Sequence, residues 1–187
     1  MTSSDTAIIF FSGHGSYVYD RNGDESDGYD EVLIPYDCNP NDISTVIVDD
    51  EFNQWIDKLP TKKVLAIVDS CYSGTVTKNL SLKMSPKFFR GGKLGAPRSK
   101  RVNTKGAVIE GKTNETLLAA SQDAQTALEK DGRGLFTVAF CQAVKNGAAN
   151  ILDAFHEARK KVLRASINQQ EPMITGPRDL PRKIRLR

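Results

Sequence analysis

The chain has 187 residues, 39% of them hydrophobic, with 26 lysines and arginines against 23 acids for a net charge of +3. That length and apolar content suit one domain with a sizeable core. No run approaches the roughly 18 apolar residues of a membrane-spanning helix, and no charged-then-apolar leader precedes the first apolar run. Three widely spaced cysteines match neither a disulfide framework nor a zinc site, so a reducing, cytoplasmic location is the expectation.

In chain order, residues 7–11 (AIIFF) form a short continuous apolar run, which predicts a strand buried on both faces. A loop rich in Gly, Asp and Asn follows over residues 13–30, then a short strand at EVLIP. The segment STVIV leads into a helix in which Phe52, Trp55, Ile56 and Leu59 recur at helical spacing, with Asp49 or Asp50 as cap and Pro60 as stop. Residues 64–68 predict a second buried strand and ETLLAAS a third. Phe136, Ala139, Phe140, Ala143 and Val144 mark a helix closed by Asn146-Gly147. Asn150, with Asp153 three residues on, starts another helix, striped by Ile151, Phe155, Ala158 and Val162. PMITG predicts a last strand, and the basic tail PRDLPRKIRLR is expected to leave the domain.

Charge divides this chain into three parts. Between Val76 and Lys112 stand ten lysines and arginines and one acid, Glu110, so this stretch carries +9 and the rest of the chain −6. Residues 76–114 therefore read as an exposed basic linker between a part spanning 1–75 and a part spanning 115–187. A nucleic-acid surface would call for aromatic residues among the charges, and only Phe88 and Phe89 are there, so nucleic acid is not an expected partner.

Strands alternating with helices predict a mostly parallel α/β sheet. If residues 7–11 and 64–68 are parallel and joined through the helix, their carboxyl ends share one edge, where sites in such sheets gather. His14 follows the first strand by three residues and Cys71 follows the second by three. A thiol becomes a competent nucleophile as a thiolate, which a neighbouring imidazole favours. The flanking Gly13 and Gly15 let the backbone approach a ligand. The N–H groups of Gly15 and Cys71 are candidates for an oxyanion hole, and His14 for protonating a leaving amine. Cys38, in a polar loop, and Cys141, among apolar helix positions, are assigned to structure. His156 is assigned to the solvated flank of a helix stripe.

Four blocks, FFSGHGS, DGYDEVLIPYD, VDDEF and VDSCYSG, together resemble the metacaspases and their prokaryotic caspase-like relatives, cysteine peptidases of the caspase fold. LLAASQDAQTALE, GRGLFTVAF and QQEPMITG are similar to the later part of the same family. The resemblance implies a caspase-like α/β fold and a Cys71–His14 endopeptidase acting on peptide or protein substrates. It further implies that Asp69, with Ser12, lines a pocket for an Arg or Lys before the scissile bond, a good match for a partly desolvated carboxylate. Calcium is the implied cofactor: the acids Asp20, Asp24, Glu25, Asp27, Asp30 and Glu31 crowd one loop, and the family's ligands map onto Asp30, Asp49 and Asp50. Relatives carry one more carboxylate shortly after the cysteine, whereas residues 74–82 here contain no acid. Cleavage within residues 78–112 by the protein's own activity is a further expectation. The family's sheet begins with two strands and two helices before the histidine strand, and only residues 1–6 precede it here. A missing amino-terminal segment or a partner chain is therefore expected to cover that strand, whose apolar edge would otherwise be bare. The alternative is a caspase-fold scaffold or interaction module without full activity.

Overall fold

The computed structural model of the chain describes residues 1–25, 28–71, 84–89, 91–94, 115–122 and 125–186. Its elements run β1 (Ala7–Ser12), β2 (His14–Tyr19), β3 (Tyr29–Ile34), β4 (Ile47–Val48), α1 (Asp49–Asp57), β5 (Val64–Asp69), β6 (Ser85–Pro86), β7 (Glu115–Ala119), β8 (Leu128–Lys130), β9 (Arg133–Gly134), α2 (Leu135–Lys145), α3 (Ile151–Ala165), β10 (Met173–Thr175) and α4 (Asp179–Lys183).

The main sheet has the order β1-β5-β7-β10, with β1, β5 and β7 parallel and β10 antiparallel at the far edge. β5 lies between two partners and is covered on both faces, so all six of its residues are buried and its sequence shows no polar alternation. Its side chains divide by parity. Leu65 and Ile67 join Leu118, Phe136, Phe140 and Phe155 in a core beneath α2 and α3. Val64, Ala66 and Val68 pack with Leu117, Phe52 and Ile56 beneath α1. A three-layer α/β/α arrangement follows from that alternation.

Several expectations are corrected here. β1 is an edge strand, with Ile8 and Phe10 half exposed, and so is not buried on both faces. Residues 13–30 are not one loop: the chain turns at Gly13 directly into β2, which pairs antiparallel with β3 from His14↔Ile34 to Tyr19↔Tyr29. With β4 these strands form a second small sheet. Neither Asp49 nor Asp50 caps α1; Val48 holds the cap position and both aspartates lie in the first turn, where the helix dipole accepts their charge. The basic tail does not leave the domain. It forms α4, and Leu180, Ile184 and Leu186 pack against the main core while Ile151 donates its N–H to the Ile184 carbonyl. Alternating apolar positions within the charged tail explain this: they cover the start of α3.

Of the basic linker, residues 84–89 and 91–94 are described, and this part is not uniformly exposed: Ser85, Gly92 and Lys93 are, and the others are partly or fully covered. Lys87 and Leu94 are each 2% exposed. Residues 72–83, 90 and 95–114 lie outside the described residues, as do Ser73 and Gly74 after the cysteine. Two helix ends agree with their sequence signals. Asn150 caps α3 by accepting from the Asp153 N–H at 3.0 Å, and Gly147 follows α2 at φ +89°.

Gln170 fixes the strand that faces the site. Fully buried, it accepts from the Leu128 N–H at 3.0 Å and donates to the Ala120 carbonyl at 2.9 Å, joining β8 to the end of β7. Gln170→Met keeps the volume and leaves both backbone groups unpaired. It should cost about 2–4 kcal/mol, measured as a lower urea midpoint at unchanged m-value.

Candidate active site

The β1–β5 register pairs Ser12 with Asp69, and the Gly13 N–H donates to the Asp69 carbonyl at 3.2 Å. His14 and Cys71 thus leave neighbouring parallel strands two residues beyond a paired position, on one edge of the sheet. Gly13 is also where the chain passes from the main sheet into the β2–β3 hairpin, so the imidazole is held at the junction of two sheets. His14 Nδ1 is buried and has no hydrogen-bond partner among the described residues. Cys71 has no exposed surface; its Sγ lies 3.9 Å from the Gln125 carbonyl, and it belongs to the core that Phe88 packs against.

Asp69 ends the central strand fully buried, and two residues answer its charge. The Lys87 ammonium stands 3.1 Å from Oδ1. The Thr137 N–H donates to Oδ2 at 2.9 Å and the Thr137 hydroxyl at 2.6 Å, so the carboxylate caps the amino terminus of α2 from outside the helix. Lys87 Nζ also donates to Ser12 Oγ at 2.9 Å, and Thr137 Oγ1 lies 3.0 Å from that same oxygen. Gly134 completes the enclosure: a Cβ there would collide with Asp69 Oδ2 and stand 2.7 Å from Lys87 Nζ. Sequence reasoning named Ser12 and Asp69 but missed Lys87, Thr137 and Gly134. Lys87 was one of ten linker charges, and Thr137 and Gly134 lie more than sixty positions from Asp69, with no local signal of their role.

Beside this group opens a cleft of about 720 Å³, lined by Gly13, His14, Glu129, Arg133, Val138 and Cys141 among others. Cys141 is therefore not a core residue of α2, as expected, but an exposed thiol on the cleft wall. Cys38 is partly covered and packs against the small core of Val18, Val32, Val46 and Leu94. His156 is exposed beside Phe155, in keeping with the flank assigned to it.

The second feature is a concentration of carboxylates at the far end of the hairpin. Oxygens of Asp20, Asp24 and Asp30 lie within 4.8 Å of one another, as do those of Glu25, Glu31 and Asp49. Asp30, Glu31 and Asp49 are buried, and Asp49 Oδ1 has no hydrogen-bond partner among the described residues. Burial, reinforced by the surrounding acids, pushes Asp30 up to about 6 and Asp49 up to about 7. Of the three ligands the resemblance implied, Asp30 and Asp49 enter these groups. Asp50 does not; its Oδ2 accepts from the Asn22 side chain at 2.6 Å. Hard oxygens packed this closely, one of them orphaned, fit a calcium-like ion.

These features define a caspase-like α/β protein with a cysteine and a histidine at the carboxyl edge of its parallel sheet. The caspase domain family model matches residues 1–180, so the chain belongs to that family. It is 53% identical over 74 residues to Metacaspase-2 and 47% identical over 77 residues to Metacaspase-1, both of Arabidopsis thaliana. Those stretches are 38% and 40% of this chain but only 17% and 20% of the relatives, so the chain spans about a fifth of their length. The crystal structure of a Geobacter sulfurreducens protein superposes with a TM-score of 0.66 at 24% identity, covering 100% of this chain and 72% of that one, which shows the shared fold. Among the described residues, no helix is long and apolar enough to cross a membrane.

The raised carboxyls carry a pH signature. Between its ordinary value of 3.8 and about 7, Asp49 holds a proton in the folded chain that the unfolded chain has released, so stability falls as pH rises through that window. In metal-free buffer, the Tm of Asp49→Asn relative to wild type should climb between about pH 4 and 7 and level off above, as read by differential scanning fluorimetry across pH.

Proposed function

We propose that this chain acts as a cysteine endopeptidase that cleaves peptide bonds after Arg or Lys, is stimulated by calcium, and is processed by its own activity. The observation that carries this reading is the meeting of four residues at one sheet edge. His14 and Cys71 stand at adjacent strand ends, and beside them Ser12 and the buried Asp69 hold the cation of a lysine side chain.

The chemistry follows from those places. His14 takes the Cys71 proton, and the thiolate adds to the carbonyl carbon of the substrate's basic residue. The electron pair displaced onto oxygen is met by the N–H groups of Gly15 and Cys71. Collapse of the tetrahedral adduct expels the amine, which takes its proton from the His14 imidazolium. Water then attacks the thioester with His14 as base, releasing the new carboxylate and the thiol. Asp69 and Ser12 select the basic side chain, and a carboxylate shielded from water rewards a matched cation more than an exposed one would.

Asp30 and Asp49, together with Asp20, Asp24, Glu25 and Glu31, would hold a calcium ion, which would supply positive charge beside these carboxylates. The physical link to catalysis is the hairpin: β2 begins at His14 and ends beside Asp20, and β3 carries Asp30 and Glu31. Tightening the acidic end orders the strand that carries the imidazole and Gly15. Self-processing is supported by the basic stretch between the two halves, which supplies matching side chains on the same molecule.

The second reading, a scaffold that needs a partner strand, is favoured by the bare edge of β1 with Ile8 and Phe10 exposed. Fluorogenic Arg- and Lys-peptides separate the two. Under the peptidase reading, Cys71→Ala and His14→Ala each lower hydrolysis by about a thousandfold or more, chelation lowers the wild-type rate, and Asp49→Asn abolishes the calcium response. Hydrolysis at equal rates by wild type and Cys71→Ala would leave the scaffold.

A further inference from the structure

The last part of the chain carries a charge that the proposed chemistry does not use. From His156 to Arg187 the sequence has nine lysines and arginines and three acids, Glu157, Glu171 and Asp179. One pair is internal: Arg159 meets Glu171 and donates to the Pro172 carbonyl at 3.2 Å. Lys160, Lys161, Arg164, Arg178, Arg182 and Lys183 are exposed and make no salt bridge among the described residues.

Folding gathers these charges on one side of the molecule. The segment 178–186 returns along the start of α3, where Asn150 bridges to Arg185 and the Leu186 N–H donates to the Ala149 carbonyl at 3.3 Å. Arg178 comes beside His156, an imidazole held below its ordinary value by burial first and then by that guanidinium. Along α3, Lys160 and Arg164 stand one turn apart with Lys161 next to them, while Phe155, Ala158 and Val162 hold the opposite side to the core.

This row of cations ends on an apolar residue for which the fold has no use. Ile167 sits just past the helix at φ +52°, in the turn that the Asn168 N–H closes on the Leu163 carbonyl at 2.8 Å. Left-handed backbone at the end of a helix favours glycine or asparagine, and a β-branched side chain there is strained. Packing does not offset the strain, since Ile167 is 63% exposed.

We propose that the face built by α3 and α4 docks on an anionic lipid membrane: its lysines and arginines meet the headgroup phosphates, and Ile167 enters the interfacial layer beneath them. This gives the chain a location and is independent of the peptidase reading. Cations alone would suit a nucleic acid equally well. No aromatic residue stands between His156 and Arg187 to stack on bases, whereas an aliphatic tip beside a row of cations matches a charged layer with hydrocarbon below. Charge draws the face to the membrane but fades within a Debye length, so the apolar contact is what holds it there.

The test uses the whole chain as Cys71→Ala, which cannot cut itself, co-sedimented with vesicles of phosphatidylglycerol and phosphatidylcholine at physiological ionic strength. Binding should be about tenfold tighter than to phosphatidylcholine alone, and adding Lys160→Glu, Arg164→Glu and Arg182→Glu should remove that advantage. Reversing Lys78, Arg98 and Lys105 of the basic linker instead should cost less. Ile167→Asn separates an anchor from a structural residue: vesicle binding should weaken several-fold while the Tm holds or rises, because asparagine accepts the left-handed turn. Binding that survives the reversals on α3 and α4, or that falls as far with the linker reversals, overturns the inference. So does an Ile167→Asn form that melts lower and binds vesicles as before. A chain that ignores anionic vesicles yet retains a labelled DNA duplex through Arg164 overturns it in favour of nucleic acid. Peptide hydrolysis enters none of these readings, so failure of the peptidase reading leaves their outcome standing.

Discussion

A carboxylate buried at the end of the central strand is the constraint that shapes this molecule. Asp69 has no solvent, and an uncompensated charge there would cost several kcal/mol. Its oxygens are met by the ammonium of Lys87 and by the backbone and hydroxyl of Thr137. Each partner belongs to a different piece of chain, so one side chain ties the linker and the start of α2 to the β1–β5 edge. Gly134 has no side chain because the ion pair occupies the space one would fill. The same group thus ties three segments together, because a dry carboxylate requires a matched cation and hydrogen-bond donors.

The acidic cluster poses the opposite problem: carboxylates brought together, three of them on buried residues. Burial first, and the neighbouring acids after it, displace Asp30 and Asp49 upward to about 6 and 7. A divalent ion would relieve the repulsion without a proton. The cluster closes one end of the β2–β3 hairpin and His14 opens the other, so under the proposed function the charge state at one end bears on the order of the strand that carries the imidazole. This coupling needs no moving domain, only a two-stranded ribbon held at both ends.

The bare edge of β1 is a consequence of the sheet order rather than of its sequence. AIIFF has the composition of an interior strand, yet among the described residues β1 pairs with β5 alone, and Ile8 and Phe10 are half exposed on one of its faces. Composition reports what a strand is suited to, and only the neighbours determine what it receives.

Local signals identified the central strand, α2 with its Asn-Gly end, α3 with its Asn150 cap, and the strand-end positions of His14 and Cys71, because periodicity and capping are properties of contiguous residues. The β2 strand was hidden within a polar, glycine-rich stretch, since its pairing with β3 is decided by register and not by hydrophobic alternation. Lys87 and Thr137 were illegible for a stronger reason: their meaning lies in Asp69, which is 18 positions from one and 68 from the other. The sequence by itself therefore determined the α/β class, the family, and which cysteine and histidine stand at strand ends. The tertiary structure alone decided that a linker lysine pairs with Asp69, that a helix terminus is capped by a carboxylate from another strand, and that the tail returns to the core. Those are pairings between distant segments, made because a buried charge or apolar face must find its complement somewhere in the folded chain.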